Sequence, residues 1–129
     1  MALSRAHEAL DAAEVCLERN LYLSAASRAY YAMFWAAQHA LTQHGVQRSE
    51  WSHPALQASF VNELIRRRKL YPALFGQHLN RILQFRLDAN YRPRGISQRQ
   101  AIQAIRWARE FVTTSTEEGS HGRDEPDRH

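Results

Sequence analysis

Apolar residues recur at intervals of three and four along almost the whole chain, the spacing that places them on one face of an α-helix. The pattern is clearest over 22–44, where apolar side chains form an uninterrupted stripe. The same spacing predicts four further helices: 4–19, 54–69, 72–89 and 97–114. No segment alternates apolar and polar residues with the period of two that a half-buried strand requires. The sequence therefore predicts an all-α fold.

Residues that start or stop helices separate these segments. Gly45 is well placed to end the second helix, and Pro54 and Pro72 suit the first positions of the third and fourth. Ser97 and Gln100 match a capping box at the start of the last helix. Because the connections are short, we expect an up-and-down antiparallel bundle of four to five helices.

The end of the chain differs in composition from the rest. Residues 115–129 are rich in Gly, Ser, Asp, Glu and His, and they contain few apolar side chains. A segment of this composition buries too little apolar surface to offset the entropy of ordering it. We therefore expect one bundle domain over 1–114 and a disordered acidic tail over 115–129.

Positive charge is concentrated in the middle of the chain. The formal net charge is +4, whereas 21–109 contain thirteen Lys and Arg residues against three acids, a net of +10. Such a surplus favours a polyanionic partner, either nucleic acid or a nucleotide. The alternative is a solvated basic surface that only keeps the protein soluble.

Several classes of protein are disfavoured by what the sequence lacks. Cys16 is the single cysteine, which excludes an intrachain disulfide framework and fits a reducing compartment. No apolar stretch approaches the roughly 18–20 residues of a membrane span, so we expect a cytoplasmic protein without membrane contact. The histidines include no pair four residues apart, and there is no Gly-rich phosphate loop. We therefore expect neither a metal nor a cofactor.

One candidate binding face lies on the second predicted helix. Arg28, Tyr31 and Trp35 stand at i, i+3 and i+7, so they share a face beside the apolar stripe. A guanidinium and two aromatic rings can bind an anionic or planar group by charge and stacking. The alternatives are a dimer interface or a second core face, since Tyr and Arg are also enriched at interfaces.

A second polar cluster lies where the fourth predicted helix ends: Arg86, Asp88, Asn90, Tyr91, Arg92 and Arg94. Arg86 follows the apolar stripe by one turn, so it emerges beside the core, and the helix end can present the residues after it. This arrangement suits an anion-binding or catalytic site. In the structural alternative, Arg86 is partly buried and pairs with Asp88 or with helix-end carbonyl groups.

These motifs resemble the HEPN domain family. The resemblance is carried by Ser-Arg-Ala-Tyr-Tyr-Ala-Met-Phe at 27–34, by Ser52-His53, and by Arg86-x-Asp-Ala-Asn-Tyr91. It extends from about residue 3 to about residue 112. It implies a helical bundle of four to five helices that forms homodimers. Many members of the family are metal-independent RNA-cleaving toxins or defence components, often encoded beside a nucleotidyltransferase that acts as the antitoxin.

The sequence departs from the family's catalytic pattern, in which an Arg-x4-6-His motif at this helix end supplies the active site. Arg86 is present, but the fifth residue after it is Tyr91, and Arg92 and Pro93 follow. An imidazole titrates near neutral pH, whereas an unperturbed tyrosine has a pKa of about 10 and is a poor base. His53 is the residue that could supply the imidazole to Arg86 through space.

Two hypotheses follow from these residues. In the first, the chain is a dimeric HEPN-type module of a toxin–antitoxin or defence system that binds RNA at the two clusters. The catalytic form of this hypothesis adds ribonuclease action by Arg86 with Tyr91, Asn90 or His53. In the second, the protein is not an enzyme and binds a nucleotide or a partner such as a nucleotidyltransferase. A third possibility is that both clusters only stabilise the homodimer.

Overall fold

The computed structural model describes residues 2–89 and 95–123. These residues contain helices and no β-strand, which confirms the predicted all-α bundle. The elements in chain order are α1 (Ala2–Glu18), α2 (Tyr22–Gln43), α3 (His53–Ser59), a π-helical segment (Phe60–Arg67), α4 (Ala73–Ala89) and α5 (Gln98–Arg123). The third predicted helix is thus an α-helix that continues directly into a π-helix. None of the described helices is long and apolar enough to cross a membrane.

Helix α2 is the centre of the bundle and packs against α1, α4 and α5. Small side chains allow its neighbours to approach closely, because an alanine adds only one methyl group between two helices. Seven alanines of α2 are fully buried: Ala25, Ala26, Ala29, Ala32, Ala36, Ala37 and Ala40. Larger core residues of the same helix, Tyr30, Met33 and Leu41, fill the space between these contacts.

The connection from α2 to α3 returns along α2. His53, the first residue of α3, packs against Tyr30 in the middle of α2, with ring centroids 5.2 Å apart. Directly after the π-helical segment, the Arg68 guanidinium donates a hydrogen bond of 3.3 Å to the carbonyl oxygen of His44, the residue that follows α2. Helix α3 therefore starts beside the middle of α2, and this return brings His53 into the polar part of the bundle.

A cluster of aromatic side chains closes one end of the core. Phe60 lies 5.0 Å from Tyr71 and 5.1 Å from Phe111, measured between ring centroids, and Phe75 lies 5.0 Å from Phe111. All four rings are buried, and the hydroxyl of Tyr71 donates to Ser115 Oγ at 3.4 Å. We call this set the Tyr71 cluster. It joins the π-helical segment, α4 and α5 into one body.

Helix α4 approaches the π-helical segment closely at Gly76. A Cβ atom built at this glycine would lie 3.0 Å from Cγ2 of Val61 and 3.3 Å from Cδ1 of Ile65.

Lys69, which follows the π-helical segment, has a φ of 54°, in the left-handed region that normally favours glycine. The turn between the π-helical segment and α4 therefore has an unfavourable backbone conformation at one residue.

The expected domain end at 114 falls inside α5. Ser115 is 1% exposed. Thr116 contacts His7 of α1, and Glu118 contacts His44. The helix continues to Arg123. Helix α5 thus runs nine residues past the expected boundary, the disordered tail stays a prediction, and 124–129 lie outside the described residues.

Candidate functional site

The guanidinium of Arg86 is held by the aromatic rings of α2. Its Nη2 donates a hydrogen bond of 3.0 Å to the hydroxyl of Tyr31. Its Cζ lies 4.9 Å from the centre of the Tyr31 ring and 5.6 Å from that of Tyr30. Arg86 is half-buried near the end of α4, so α2 and α4 together fix a positive charge at the edge of the core.

His53, the first residue of α3, lies beside the same two tyrosine rings. Its Nδ1 shares a hydrogen bond with the hydroxyl of Tyr30, which is only 2% exposed. Ser52 caps the helix by accepting a hydrogen bond of 3.2 Å from the backbone N–H of Ala55. This cap fixes the backbone at His53, and the contact with Tyr30 fixes the ring. We call Tyr30, Tyr31, His53 and Arg86 the Arg86 cluster.

Burial keeps the phenol of this cluster neutral, and burial together with the charge of Arg86 keeps the imidazole neutral. Burial raises the pKa of Tyr30 well above its ordinary value, and the nearby charge of Arg86 offsets only part of that rise. Burial also lowers the pKa of His53, and the positive charge of Arg86 lowers it further. The N-terminus of α3 disfavours an imidazolium in the same direction. At neutral pH, the cluster therefore holds one fixed cation beside an uncharged imidazole.

The predicted face of Arg28, Tyr31 and Trp35 lines a groove between α1 and α2. The groove has a volume of about 360 Å³, and we call it the Arg28 groove. Arg5 of α1 adds a second cation, with its Cζ 4.8 Å from the centre of the Trp35 ring. Glu8 also lines the groove, so its charge is mixed. Because Tyr31 both lines the groove and binds Arg86, the two predicted clusters adjoin.

Asp88 is the one other predicted residue at the end of α4 that the structure describes. Asp88 is exposed on the last turn of the helix. Asn90, Tyr91, Arg92 and Arg94 lie outside the described residues. No group of three or more His, Cys, Asp or Glu side chains is placed to hold a metal ion in the part of the chain that the structure describes.

Two residues of the site were not singled out from the sequence. Tyr30 belongs to the apolar stripe of α2 and was assigned to the core. Its hydroxyl was the missed signal, because a buried phenol needs a hydrogen-bond partner. Arg5 lies on α1, and no local spacing relates it to Trp35 on α2.

The sequence of the chain is similar to those of known proteins. Residues 1–118 match the family model of the HEPN domain. A UPF0332 protein of Thermotoga maritima is 32% identical to the chain over 87 residues, which are 67% of this chain. The match covers 64% of that relative, so the chain spans just under two thirds of its length.

Proposed function

The chain belongs to the HEPN family, and from this premise we propose that it is an RNA-binding module of a toxin–antitoxin or defence system that acts at the Arg86 cluster. One observation carries the proposal: Arg86 and His53 both contact Tyr30, the guanidinium at 5.6 Å from the centre of its ring and the imidazole through a hydrogen bond with its hydroxyl. A fixed cation beside a neutral base is a typical arrangement for binding and activating a phosphodiester.

The proposed reaction is cleavage of RNA by its own 2′-hydroxyl. In the tautomer in which His53 Nδ1–H donates to Tyr30, the lone pair of Nε2 is available and takes the proton of the 2′-hydroxyl. The 2′-oxygen then bonds to the adjacent phosphorus, and the bond from phosphorus to the 5′-oxygen breaks. The 5′-oxygen takes a proton from water, and the imidazolium of His53 gives its proton to the hydroxide so formed, which restores the neutral base and leaves a 2′,3′-cyclic phosphate and a 5′-hydroxyl. Arg86 stabilises the additional negative charge on the phosphoryl oxygens.

In this proposal, His53 replaces the histidine that the family motif places after the arginine. The replacement comes from α3 and not from the end of α4, where Tyr91 occupies the corresponding position. Tyr30 orients the imidazole in the same way that a buried hydrogen-bond acceptor orients a catalytic histidine. The chemical requirement, one cation and one imidazole, is thus met by residues from different helices.

A second candidate function is non-catalytic binding of a nucleotide. The Arg28 groove supports it, because its volume of about 360 Å³ lies at the lower end of the range of small-ligand sites, roughly 300–1,000 Å³. Arg28 and Arg5 would bind the phosphates, and Tyr31 and Trp35 would contact the base. In this case, the Arg86 cluster would serve only to position Tyr31.

One experiment separates the two functions. The purified protein is incubated with total RNA or tRNA in buffer containing a chelator, alongside Arg86→Ala and His53→Gln. We expect cleavage by the wild type, loss in both variants, and products that end in a cyclic phosphate. Arg81→Ala is the matched control, because Arg81 is also on α4 and also lies over an aromatic ring, 5.8 Å from Phe85. Equal inertness of all four proteins, with retained nucleotide binding, would support the non-catalytic function.

The proposal includes the partners that the family suggests, a second copy of the chain and a nucleotidyltransferase. A homodimer would bring two Arg86 clusters to one RNA. Sedimentation analysis at several protein concentrations tests the dimer. Co-expression with a nucleotidyltransferase encoded next to this chain tests the antitoxin, which is expected to relieve growth inhibition and to co-purify.

A further inference from the structure

A second groove adjoins the Arg28 groove, and each of its two tryptophans has an arginine beside its ring. Trp35 and Trp51 line it together with Phe34 and Ser52, and its volume is about 520 Å³. The Cζ of Arg5 lies 4.8 Å from the centre of the Trp35 ring, and the Cζ of Arg48 lies 5.2 Å from that of Trp51. We call this the Trp51 groove. Each of its tryptophans carries a guanidinium at its ring.

The Trp51 groove is continuous with the Arg86 cluster. Phe34 lines the groove, and its ring centroid lies 5.2 Å from that of His53. Trp35 lines both this groove and the Arg28 groove, where Tyr31 accepts the hydrogen bond from Arg86. Tyr31 and Trp35 therefore connect the Arg86 cluster to the Trp51 groove.

We infer that the Trp51 groove binds the bases of single-stranded RNA next to the phosphate held at Arg86. This inference rests on the proposed function and names the class of its substrate. Tryptophan rings and guanidinium planes are surfaces on which unpaired bases stack, and this stacking tolerates any sequence. In a duplex, the bases are already stacked and paired, so the groove discriminates against double-stranded RNA.

The acidic residue of the groove fits bases better than phosphates. Glu50 lines the groove beside Trp51. A carboxylate repels a phosphate, but it accepts hydrogen bonds from the exocyclic amino groups of adenine, cytosine and guanine. The phosphates are therefore expected to lie toward Arg5 and Arg48, with the bases turned inward.

The third tryptophan provides a matched control. Trp107 of α5 packs against α4, with its ring centroid 4.4 Å from that of His78 and 5.9 Å from that of Phe85. It lines a separate groove with Leu74 and Arg81. Replacing Trp107 removes the same flat ring as replacing Trp51, but at a different place on the bundle.

The test measures dissociation constants by fluorescence anisotropy with a labelled single-stranded RNA oligonucleotide at low salt. Trp51→Leu is expected to weaken binding about five- to hundredfold, the range for losing one stacked base. Trp107→Leu is expected to bind as the wild type does. Trp51→Tyr, which restores a flat ring, should recover most of the affinity. Circular dichroism confirms that each variant is folded, and Arg81→Ala replaces Trp107→Leu as the control if that variant unfolds.

Two further ligands distinguish base stacking from binding by charge alone. An abasic oligonucleotide has the same charge without bases, so Trp51→Leu should not change its affinity, and the same RNA annealed to its complement should bind more weakly. If Trp51→Leu weakens all ligands equally, or if duplex and single strand bind alike, base stacking in the groove is overturned. If the wild type binds no RNA at all, the proposed function fails together with this inference.

Discussion

Two buried tyrosines, Tyr30 and Tyr71, show how similar burial can lead to different chemistry. They are 2% and 4% exposed, and each hydroxyl has one polar partner from a distant part of the chain. Burial raises the pKa of both, to about 12 for Tyr71. Tyr71 lies among phenylalanines with Ser115 as its partner, whereas Tyr30 lies between a cation and an imidazole. The partners of each ring therefore distinguish the two sites, and burial does not.

The contrast teaches where to look for function in a helical bundle. The hydrogen bond of Tyr71 links two neutral hydroxyl groups, its own and that of Ser115. In a closed core, such a bond only satisfies the hydrogen-bonding capacity of the two groups. The hydroxyl of Tyr30 shares its hydrogen bond with His53, and an imidazole can exchange protons near neutral pH. Arg86 adds a positive charge, which is costly to hold beside an apolar core. Titratable groups whose pKa values are shifted by burial and a neighbouring charge are often found at functional sites.

Truncating one side chain in each cluster should give the largest difference in stability. Phe111→Ala removes a ring from the Tyr71 cluster and leaves a cavity, which costs about 3–5 kcal/mol of unfolding free energy. Arg86→Ala removes one hydrogen bond and a cation–π contact, with an expected cost of about 1–2 kcal/mol. Urea unfolding followed by circular dichroism measures both. A cost for Arg86→Ala as large as that for Phe111→Ala would make Arg86 a structural residue.

Removing the two hydroxyl groups should separate stability from activity. Tyr30→Phe and Tyr71→Phe each remove one buried hydrogen bond, so each is expected to lower the unfolding free energy by about 0.5–1.5 kcal/mol. Only Tyr30→Phe deprives His53 of its orienting partner, and we expect it to slow RNA cleavage at least about tenfold. Cleavage rates at saturating RNA test this. Equal rates for both variants would remove Tyr30 from the mechanism.

The sequence was sufficient to predict the helices, because each has a long apolar stripe with the helical period. It also predicted that Arg28, Tyr31 and Trp35 share a face, since all three lie on one helix. The structure brings them together in the Arg28 groove. Their role in binding remains a proposal. Local spacing succeeded wherever the relevant residues belong to the same element.

Contacts between elements were harder to predict. The pairing of Tyr30 with His53 depends on the return of the 44–52 connection along α2, which no local pattern encodes. The extension of α5 was missed because polar residues after 114 gain partners from distant parts of the chain, such as His44 for Glu118. The π-helical segment was also missed, since its apolar spacing resembles that of an α-helix over eight residues.

The charge of Arg86 should be detectable in the titration of His53. Arg86→Gln removes that charge, so the pKa of His53 should rise toward its ordinary value of 6.5. Burial still lowers it, and the rise should therefore be partial. His78 is the control, because burial also lowers its pKa but Arg86 is not among the causes. NMR titration of the ring protons measures both, and a parallel rise at His78 would indicate a general structural change.

The same shift makes stability depend on pH. The pKa of His53 is lower in the folded protein than in the unfolded chain, so the unfolded chain takes up a proton first as the pH falls. The unfolding free energy is then full above about pH 6.5 and decreases below it, until the pH passes the folded pKa. Arg86→Gln should reduce this decrease. Urea unfolding at about pH 7.5 and about pH 5 tests the sign.

The smallest expected effect concerns the turn that leads into the Tyr71 cluster. Lys69 has a φ of 54°, which costs a side chain roughly 1–2 kcal/mol relative to its preferred regions. Lys69→Gly relieves this cost, but glycine loses about 0.4–1 kcal/mol more to chain entropy on folding. We therefore expect a net gain in unfolding free energy of about 0.5–1 kcal/mol. Lys69→Ala removes the same charge without relieving the backbone, so it should give no gain.

RNA cleavage should be unchanged in both variants, because the turn adjoins the Tyr71 cluster and not the Arg86 cluster. A change in cleavage with Lys69→Gly alone would show that the two clusters are coupled through the π-helical segment.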